Sequence, residues 1–503
     1  MKKILLIPFL FASFTLKAQQ NNTLLDQSFW KTSPDAAAVK AEIAKGNSAT
    51  AFNPMTFDAT VMAINSDAPN ATIKFLLEQQ GNSINKITHD GRIYLHWAAN
   101  RGNVELVEYL IAKGSDINLE DSHGTTPLAF AASNGQTNTA VYEAFFKAGL
   151  DVKKKYRDGA NLLLLGIAND ADLKLSNYLI SKGLSLKDVD NNGNTAFNYA
   201  ARTGNVAQLK TLLKKGVQFN ENALIFAAQG TRRSTNTIDV YQYLVDELKI
   251  NPAYINKNGE TVLHALVRKP NQSEIVKYFL AKGVDVNKAD KDGNTAFINA
   301  AAGKDAALIE VLLPKVKDIN ATNAKGESAL TMAVKSSSAD VVSLLLKNGA
   351  DVNIKDKDGN NLAYYLVQSY TPQGGRGPEG GASNGGQQDD FSAKMAALQG
   401  KGLNFAAPQK DGSTLYHLAV AKNDMALLKR IANLNIDVNT KNKEGITVLH
   451  KAAMLSKDDA ILKYLLSVGA RKDIATEFDE TAYTLAKENE LLTKNNISVD
   501  FLK

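Results

Sequence analysis

The chain has 503 residues, no cysteine, and a formal charge of +6 from 58 Lys and Arg against 52 Asp and Glu. Without cysteine there are no disulfides, thiolate metal sites or cysteine nucleophiles. The small positive surplus, part of it in Lys2, Lys3 and Lys17 of the leader, does not point to nucleic acid. At this length a single core stops growing, so a stack of units that each bury apolar surface against their neighbours is an economical solution.

The N-terminus reads MKKILLIPFLFASFTLKAQQ, with two lysines, an apolar run from Ile4 to Leu16, and Lys17-Ala18 ahead of two glutamines. This looks like a secretory signal peptide of Gram-negative type, residues 1–18, cleaved near Ala18. The run falls short of the roughly 20 residues that span a bilayer. No later stretch is apolar enough to span one either, so a periplasmic or secreted protein with no membrane contact is expected. Residues 19–53 read as an N-terminal capping segment. Within it, Ser28 to Gly46 resembles a second helix without its first, carrying Phe29, Trp30, Val39 and Ile43. A degenerate unit follows, with Asp58 in the turn-glycine place, Thr60-Val61-Met62 opening a helix and Gln80-Gly81 closing it.

The clearest unit is DGRIYLHWAANRGNVELVEYLIAKGSDIN, Asp90 to Asn118. An Asp-Gly turn leads into a short apolar helix pattern, Tyr94 to Ala99, which stops at Gly102. Asn103 is placed to cap a second helix, in which Val104, Val107, Leu110 and Ile111 recur at helical spacing, and Gly114 closes it. Turn glycines then recur at Gly91, Gly124, Gly159, Gly193, Gly259, Gly293, Gly326, Gly359, Gly412 and Gly445. Their gaps are 33, 35, 34, 66, 34, 33, 33, 53 and 33 residues, where 66 is two periods and 53 is one period plus 20.

This unit, with Thr126-Pro127-Leu128 in the next one, resembles the ankyrin repeat, whose signature is a turn, T-P-L-H-x-A and two antiparallel helices in about 33 residues. The resemblance implies an all-α ankyrin-repeat solenoid of about 12–13 helix-turn-helix units with short β-hairpin fingers. The array is expected over residues 54–477, with a C-terminal capping repeat over 478–503, where Asp479 replaces the turn glycine.

Two units depart from the period. Between Gly216 and Leu224 six residues of the projecting turn are missing, and six extra appear before Lys249, so the spacing predicts a lost finger. The extra residues, Gly230-Thr231-Arg232-Arg233-Ser234-Thr235-Asn236, are expected as an enlarged basic loop between the two helices. The second departure, Thr371 to Asp390, has seven glycines and almost nothing apolar, which predicts a flexible insertion, with the helix pattern resuming at Phe391.

A search for chemistry finds framework residues. His96, His264, His417 and His450 occupy the signature histidine place, where the resemblance implies hydrogen bonds to turn backbone. His89 and His123 fall on adjacent fingertips and read as solvated turn residues rather than a metal pair. The Asp-Gly turns, one per period, lack calcium-loop spacing, and no nucleophile elbow, phosphate loop or dinucleotide fingerprint occurs. Catalysis, cofactors and metals are therefore not expected.

Two rows remain. The place after the signature histidine holds Trp97, Phe130, Leu165, Tyr199 and Phe226, which reads as packing between units. The end of the first helix holds Asn100, Arg101, Ser133, Asn134, Arg202, Arg268, Lys269, Lys335 and Lys422; with Arg92, these are the candidate partner contacts. By family resemblance they lie on a concave face, and their recurring positive charge favours an acidic protein surface. The resemblance implies a monomeric, non-catalytic protein-binding scaffold that stabilises or assembles an exported partner in the periplasm. Exported bacterial ankyrin proteins have been linked to oxidative-stress enzymes, so a catalase is a candidate partner. The alternative is a secreted effector or antitoxin-like binder of a foreign protein.

Overall fold

The computed structural model describes residues 22–231, 234–371 and 386–503. The leader with its expected cleavage site, Arg232-Arg233 of the basic loop and residues 372–385 of the glycine-rich stretch lie outside the described residues. The chain divides into two compact units that part between Phe226 and Ala227. Each is all-α, built from successive pairs of short helices, as expected.

The template unit shows why. Its first helix, Tyr94–Arg101, buries Tyr94 through Ala99 without a break, because neighbouring units cover it on both sides. Gly102 ends it in the left-handed region at φ 74°. The second helix, Val104–Ala112, buries only Leu106, Val107 and Leu110 and turns Glu105 and Glu108 outward, the pattern of a helix with one covered face. Asn103 caps it by accepting the N–H of Leu106 at 3.1 Å.

The fingers are tighter than the expected hairpins. In the second finger Asp121 N–H donates to Thr125 O, and the Asp121 carboxylate accepts the N–H groups of His123 and Thr125 at 2.9 and 3.0 Å. Such an Asx turn satisfies its own backbone and leaves no room for a ladder. Among the described residues only isolated bridges occur, Thr322 with Ser328 and Ala475 with Thr481. Adjacent fingers are joined instead by single backbone bonds, such as Ser122 N–H to Asp90 O at 2.8 Å and Ala324 N–H to Asp292 O at 2.7 Å. The turn glycines answer both demands. Gly293 has φ 77°, and a Cβ there would stand 2.7 Å from Ala324 N.

The N-terminus departs from expectation. Residues 27–44 form a complete pair, Gln27–Trp30 and Ala36–Ala44, because Trp30 is large enough to fill its side of the core alone; its Nε1 donates to Leu24 O at 2.9 Å. Asp58 is not a turn residue. It caps helix Ala59–Asn65 and, fully buried, pairs with Lys86 at 2.7 Å and accepts the Tyr94 hydroxyl at 2.6 Å. The turn place belongs to Thr56, at φ 57°, with Asn53 making the Asx turn.

The missing finger is confirmed. Gln218 to Glu221 run straight into helix Asn222–Gln229, and the Asn220 side chain donates to Gly193 O at 2.8 Å in place of a finger contact. Beside the compensating insertion, whose Arg232 and Arg233 lie outside the described residues, Thr231 N–H bonds Ser234 O at 3.0 Å and Asn236 Nδ2 donates to Ala227 O at 2.9 Å. Part of the extra length sits in the second helix, where Tyr243–Glu247 forms a π-turn that absorbs an additional residue.

The glycine-rich stretch also ends earlier than expected. Helix Gly386–Gly400 begins ahead of Phe391, and Asp390, expected in the flexible insertion, is fixed because its carboxylate accepts the N–H of Ala339 at 2.6 Å. At the C-terminus Asn489 donates to Ala453 O and Ser456 O at 2.9 and 2.8 Å, and Leu502 is buried. No helix among the described residues is long and apolar enough to cross a membrane.

Candidate protein-binding face

The signature histidines are framework groups. In His264, Nδ1 accepts the N–H of Thr261 at 3.0 Å and Nε2 meets Asn294 O of the next finger at 3.1 Å. His417 and His450 repeat this with Thr414 and Thr447 on one side and Ile446 O and Ile474 O on the other. His96 does so more loosely with Ile93 N–H, 3.3 Å, and Thr125 O, 3.0 Å. One accepting and one donating nitrogen define a neutral ring protonated at Nε2. Burial lowers the pKa of all four, to about 4 for His96. With both nitrogens engaged in this way, none is placed for proton transfer. Where the histidine is replaced by Asn198, its Nδ2 donates to Asn220 Oδ1 at 2.5 Å, so the joint survives the loss of the finger.

His89 and His123 do lie on adjacent fingertips, but they are not simply solvated. Each Nε2 approaches Asp90 Oδ2, at 3.3 and 3.5 Å, and His89 Nδ1 is 2.8 Å from Met55 O. Partial burial works against the Asp90 carboxylate, yet the positive charge of His89, Arg92 and His123 holds its pKa below the usual value. Among the described residues no three His, Cys, Asp or Glu side chains are grouped to hold a metal ion.

The aromatic row is packing. Trp97, Phe130, Tyr199 and Phe226 are buried, Leu165 is half-buried, and Trp97 meets Phe130 edge-on at 5.8 Å. The polar tips point at the fingers: Trp97 Nε1 donates to Thr88 Oγ1 at 3.0 Å and Tyr199 OH to Asp190 at 3.0 Å. Arg92 belongs to this layer and not to an exposed face. Only 6% exposed, it lies over Phe130 at 4.3 Å and pairs with Asp121 at 2.9 Å, because its short distance from the turn leaves it beneath the next finger.

The row at the end of the first helices splits in two. One group links units. Lys269 donates to Thr231 O and Lys422 to Gln368 O, both at 3.3 Å. The carbonyl of Asn100 accepts from Gln136 at 3.2 Å, and Arg202 is half-buried with its guanidinium 4.7 Å from the Phe226 ring centre. Carbonyls at helix ends lack partners within the helix, and these side chains supply them from the next unit.

The other group remains at the surface. Ser133 and Asn134 are exposed. Arg101 is exposed and pairs with Asp67, Nε to Oδ1 at 2.9 Å. About half of the Arg268 and Lys335 side chains is open to solvent, beside Glu260 at 3.8 Å and Glu327 at 3.3 Å. The Arg101–Asp67 pair is exposed on both sides, and such pairs contribute about 0–1 kcal/mol, so this cation is free to exchange partners, whereas the Glu327 carboxylate that Lys335 meets is itself buried. Met454 and Leu455, four and five residues beyond His450, hold the same two places and are 39% and 47% exposed. Charge-based reading passed over them, although their spacing from the histidine marks the position.

Models of ankyrin repeats match the chain over residues 61–156, 209–290 and 266–356 as three-copy arrays, and over 167–213 and 416–466 as many-copy arrays. Among curated relatives, the palmitoyltransferase AKR1 of Lachancea kluyveri is 29% identical over 237 residues, 45% of this chain and 27% of that protein. The human transient receptor potential cation channel subfamily A member 1 is 30% identical over 219 residues, 42% of this chain and 19% of the channel. Ankyrin repeat and SAM domain-containing protein 6 of Rattus norvegicus is 32% identical over 111 residues, 22% of this chain and 12% of that protein. The chain thus spans less than a third of the length of each of these relatives. Ankyrin repeats are in general non-catalytic protein-interaction scaffolds. The models, the period and the histidine joints agree, and the chain belongs to the ankyrin-repeat family.

Proposed function

We propose that this protein is a non-catalytic scaffold that binds an exported partner protein in the periplasm and stabilises or assembles it, after loss of residues 1–18. The observation that carries this reading is the division of labour in the array. The signature histidines and turn carboxylates are occupied by the framework, whereas Arg101, Ser133, Asn134, Arg268 and Lys335 stay open at equivalent places in different units. Such recurring cations suit an acidic protein surface, and binding the native partner in preference to its unfolded chain stabilises it by mass action. A catalase-type enzyme is the first partner to test.

The test is capture from a periplasmic extract by wild-type protein and by the Arg268→Glu/Lys335→Glu double variant, with circular dichroism to establish that both are folded. Capture of a specific protein that the variant loses supports the proposal. No capture by wild type, or equal capture by both, removes its support.

A further inference from the structure

Eight residues before the glycine that closes a second helix, units bury an aliphatic side chain, such as Leu106, Val141, Leu175, Ile275, Val341 and Ile461, and the unit closed by Gly216 buries the uncharged Gln208. In helix Gly386–Gly400, closed by Gly402, that place is Lys394, and it too is buried, at 4% exposure. Its ammonium is 3.1 Å from Asp390 Oδ2 and 3.5 Å from Val334 O of the preceding unit. Asp390 in turn accepts the N–H of Ala339, in the first turn of the preceding second helix, Ala339–Lys347. Lys304 adds a further positive charge in the surroundings, which opposes charging of Lys394, as burial does. This helix therefore docks through a charged joint where those counterparts dock through an uncharged side chain, with Phe391 and Leu398 as its buried apolar anchors.

We infer that helix 386–400 is a detachable element, which opens from the array as a local unit while the helices on either side of it stay folded. The physical reason is an imbalance. A lysine ammonium taken out of water recovers from its carboxylate partner little more than its desolvation cost, whereas a buried aliphatic side chain stabilises its helix outright. Elements with few apolar contacts open sub-globally ahead of the whole fold.

Native-state hydrogen exchange on the full chain tests this, reading residues 391–400 against helices Ala339–Lys347 and Val448–Leu455. Wild type should exchange in 391–400 at least about tenfold faster than in either reference helix. Lys394→Met, which restores an apolar side chain of similar length, should slow exchange in 391–400 by about tenfold or more. Asp390→Asn should speed it, leaving Val448–Leu455 unchanged. Equal protection of the three helices in wild type would overturn the inference. So would faster exchange in Lys394→Met, which would make the ion pair a net anchor, or an Asp390→Asn effect that spreads to Val448–Leu455.

Discussion

Leu106 and Lys394 hold the same place in their units and meet the same demand, filling the space against the preceding helix pair, with opposite chemistry. Leu106 is fully buried among apolar neighbours and needs no partner. Lys394 needs Asp390, a backbone N–H for Asp390, and a carbonyl for itself. Gln208 is an intermediate case: it is buried at the same place, and its amide donates to Ile167 O at 2.6 Å and Asp170 O at 3.1 Å. The place thus tolerates a polar group wherever the end of the preceding first helix offers unpaired carbonyls. What changes is how firmly the helix is held.

The largest effect should come from the aliphatic side of this comparison. Leu106→Ala is expected to cost about 2–5 kcal/mol, since little can collapse into the space. Hydrogen exchange within 94–112 should report it; a loss below about 1 kcal/mol would mean that the aliphatic place is no firmer than the polar one.

Acid should loosen the units whose joint is a histidine. The folded state holds His96 neutral to about pH 4, while the unfolded chain takes up a proton near 6.5. The unfolded state therefore binds more protons between these values. The contribution is fully present above about pH 6.5 and is lost as pH falls towards 4, on the order of 3 kcal/mol for His96. His264, His417 and His450 act in the same direction. Denaturant titrations of wild type and His96→Asn at pH 7 and pH 4.5 should show a smaller acid loss in the variant, since asparagine does not titrate and serves this joint at position 198. Equal losses would place the acid sensitivity elsewhere.

A smaller effect separates the two uses of glycine. Gly293→Ala meets both a positive φ and the backbone of the next finger and should cost about 1–3 kcal/mol. Gly283→Ala meets only the positive φ, with nothing within 4 Å, and should cost about 1 kcal/mol. If the two cost the same, the bonds between fingers carry no load. The smallest change, Asn103→Ala, removes one helix cap and should cost about 1 kcal/mol, read as lower protection at the start of Val104–Ala112.

Much of the fold was legible because each unit's instructions are local. A turn glycine, a capping asparagine and an apolar stripe are read within about a dozen residues, and they placed helices Tyr94–Arg101 and Val104–Ala112 to within a residue or two. The lost finger was legible for the same reason, as a count between Gly216 and Leu224. The N-terminal pair was not, since Gln27–Trp30 is four residues long and its anchor is one tryptophan. Asp58 was misplaced because two acceptors in one short segment, Asn53 and Asp58, compete for turn and cap, and only packing against Lys86 and Tyr94 assigns them.

The candidate face was less legible. Sequence spacing set Arg92, Arg101, Arg202 and Arg268 apart as cations in a variable place, but exposure is a property of neighbouring units. Arg92 is roofed by the next finger, Arg202 stacks on Phe226, and Arg268 stays open.

By itself the sequence determined the period, the turns and the caps, and through its resemblance to the ankyrin repeat it implied the all-α class and the framework role of the four signature histidines, because these depend on backbone conformation and contacts repeated every 33 residues or so. Only the tertiary structure decided which cations are spent on helix-end carbonyls, which remain open, and that Lys394 is buried. Those outcomes depend on what lies across the unit boundary, where the carbonyls that Lys269 and Lys422 reach are 38 and 54 residues away and burial sets whether a charge is free or bound.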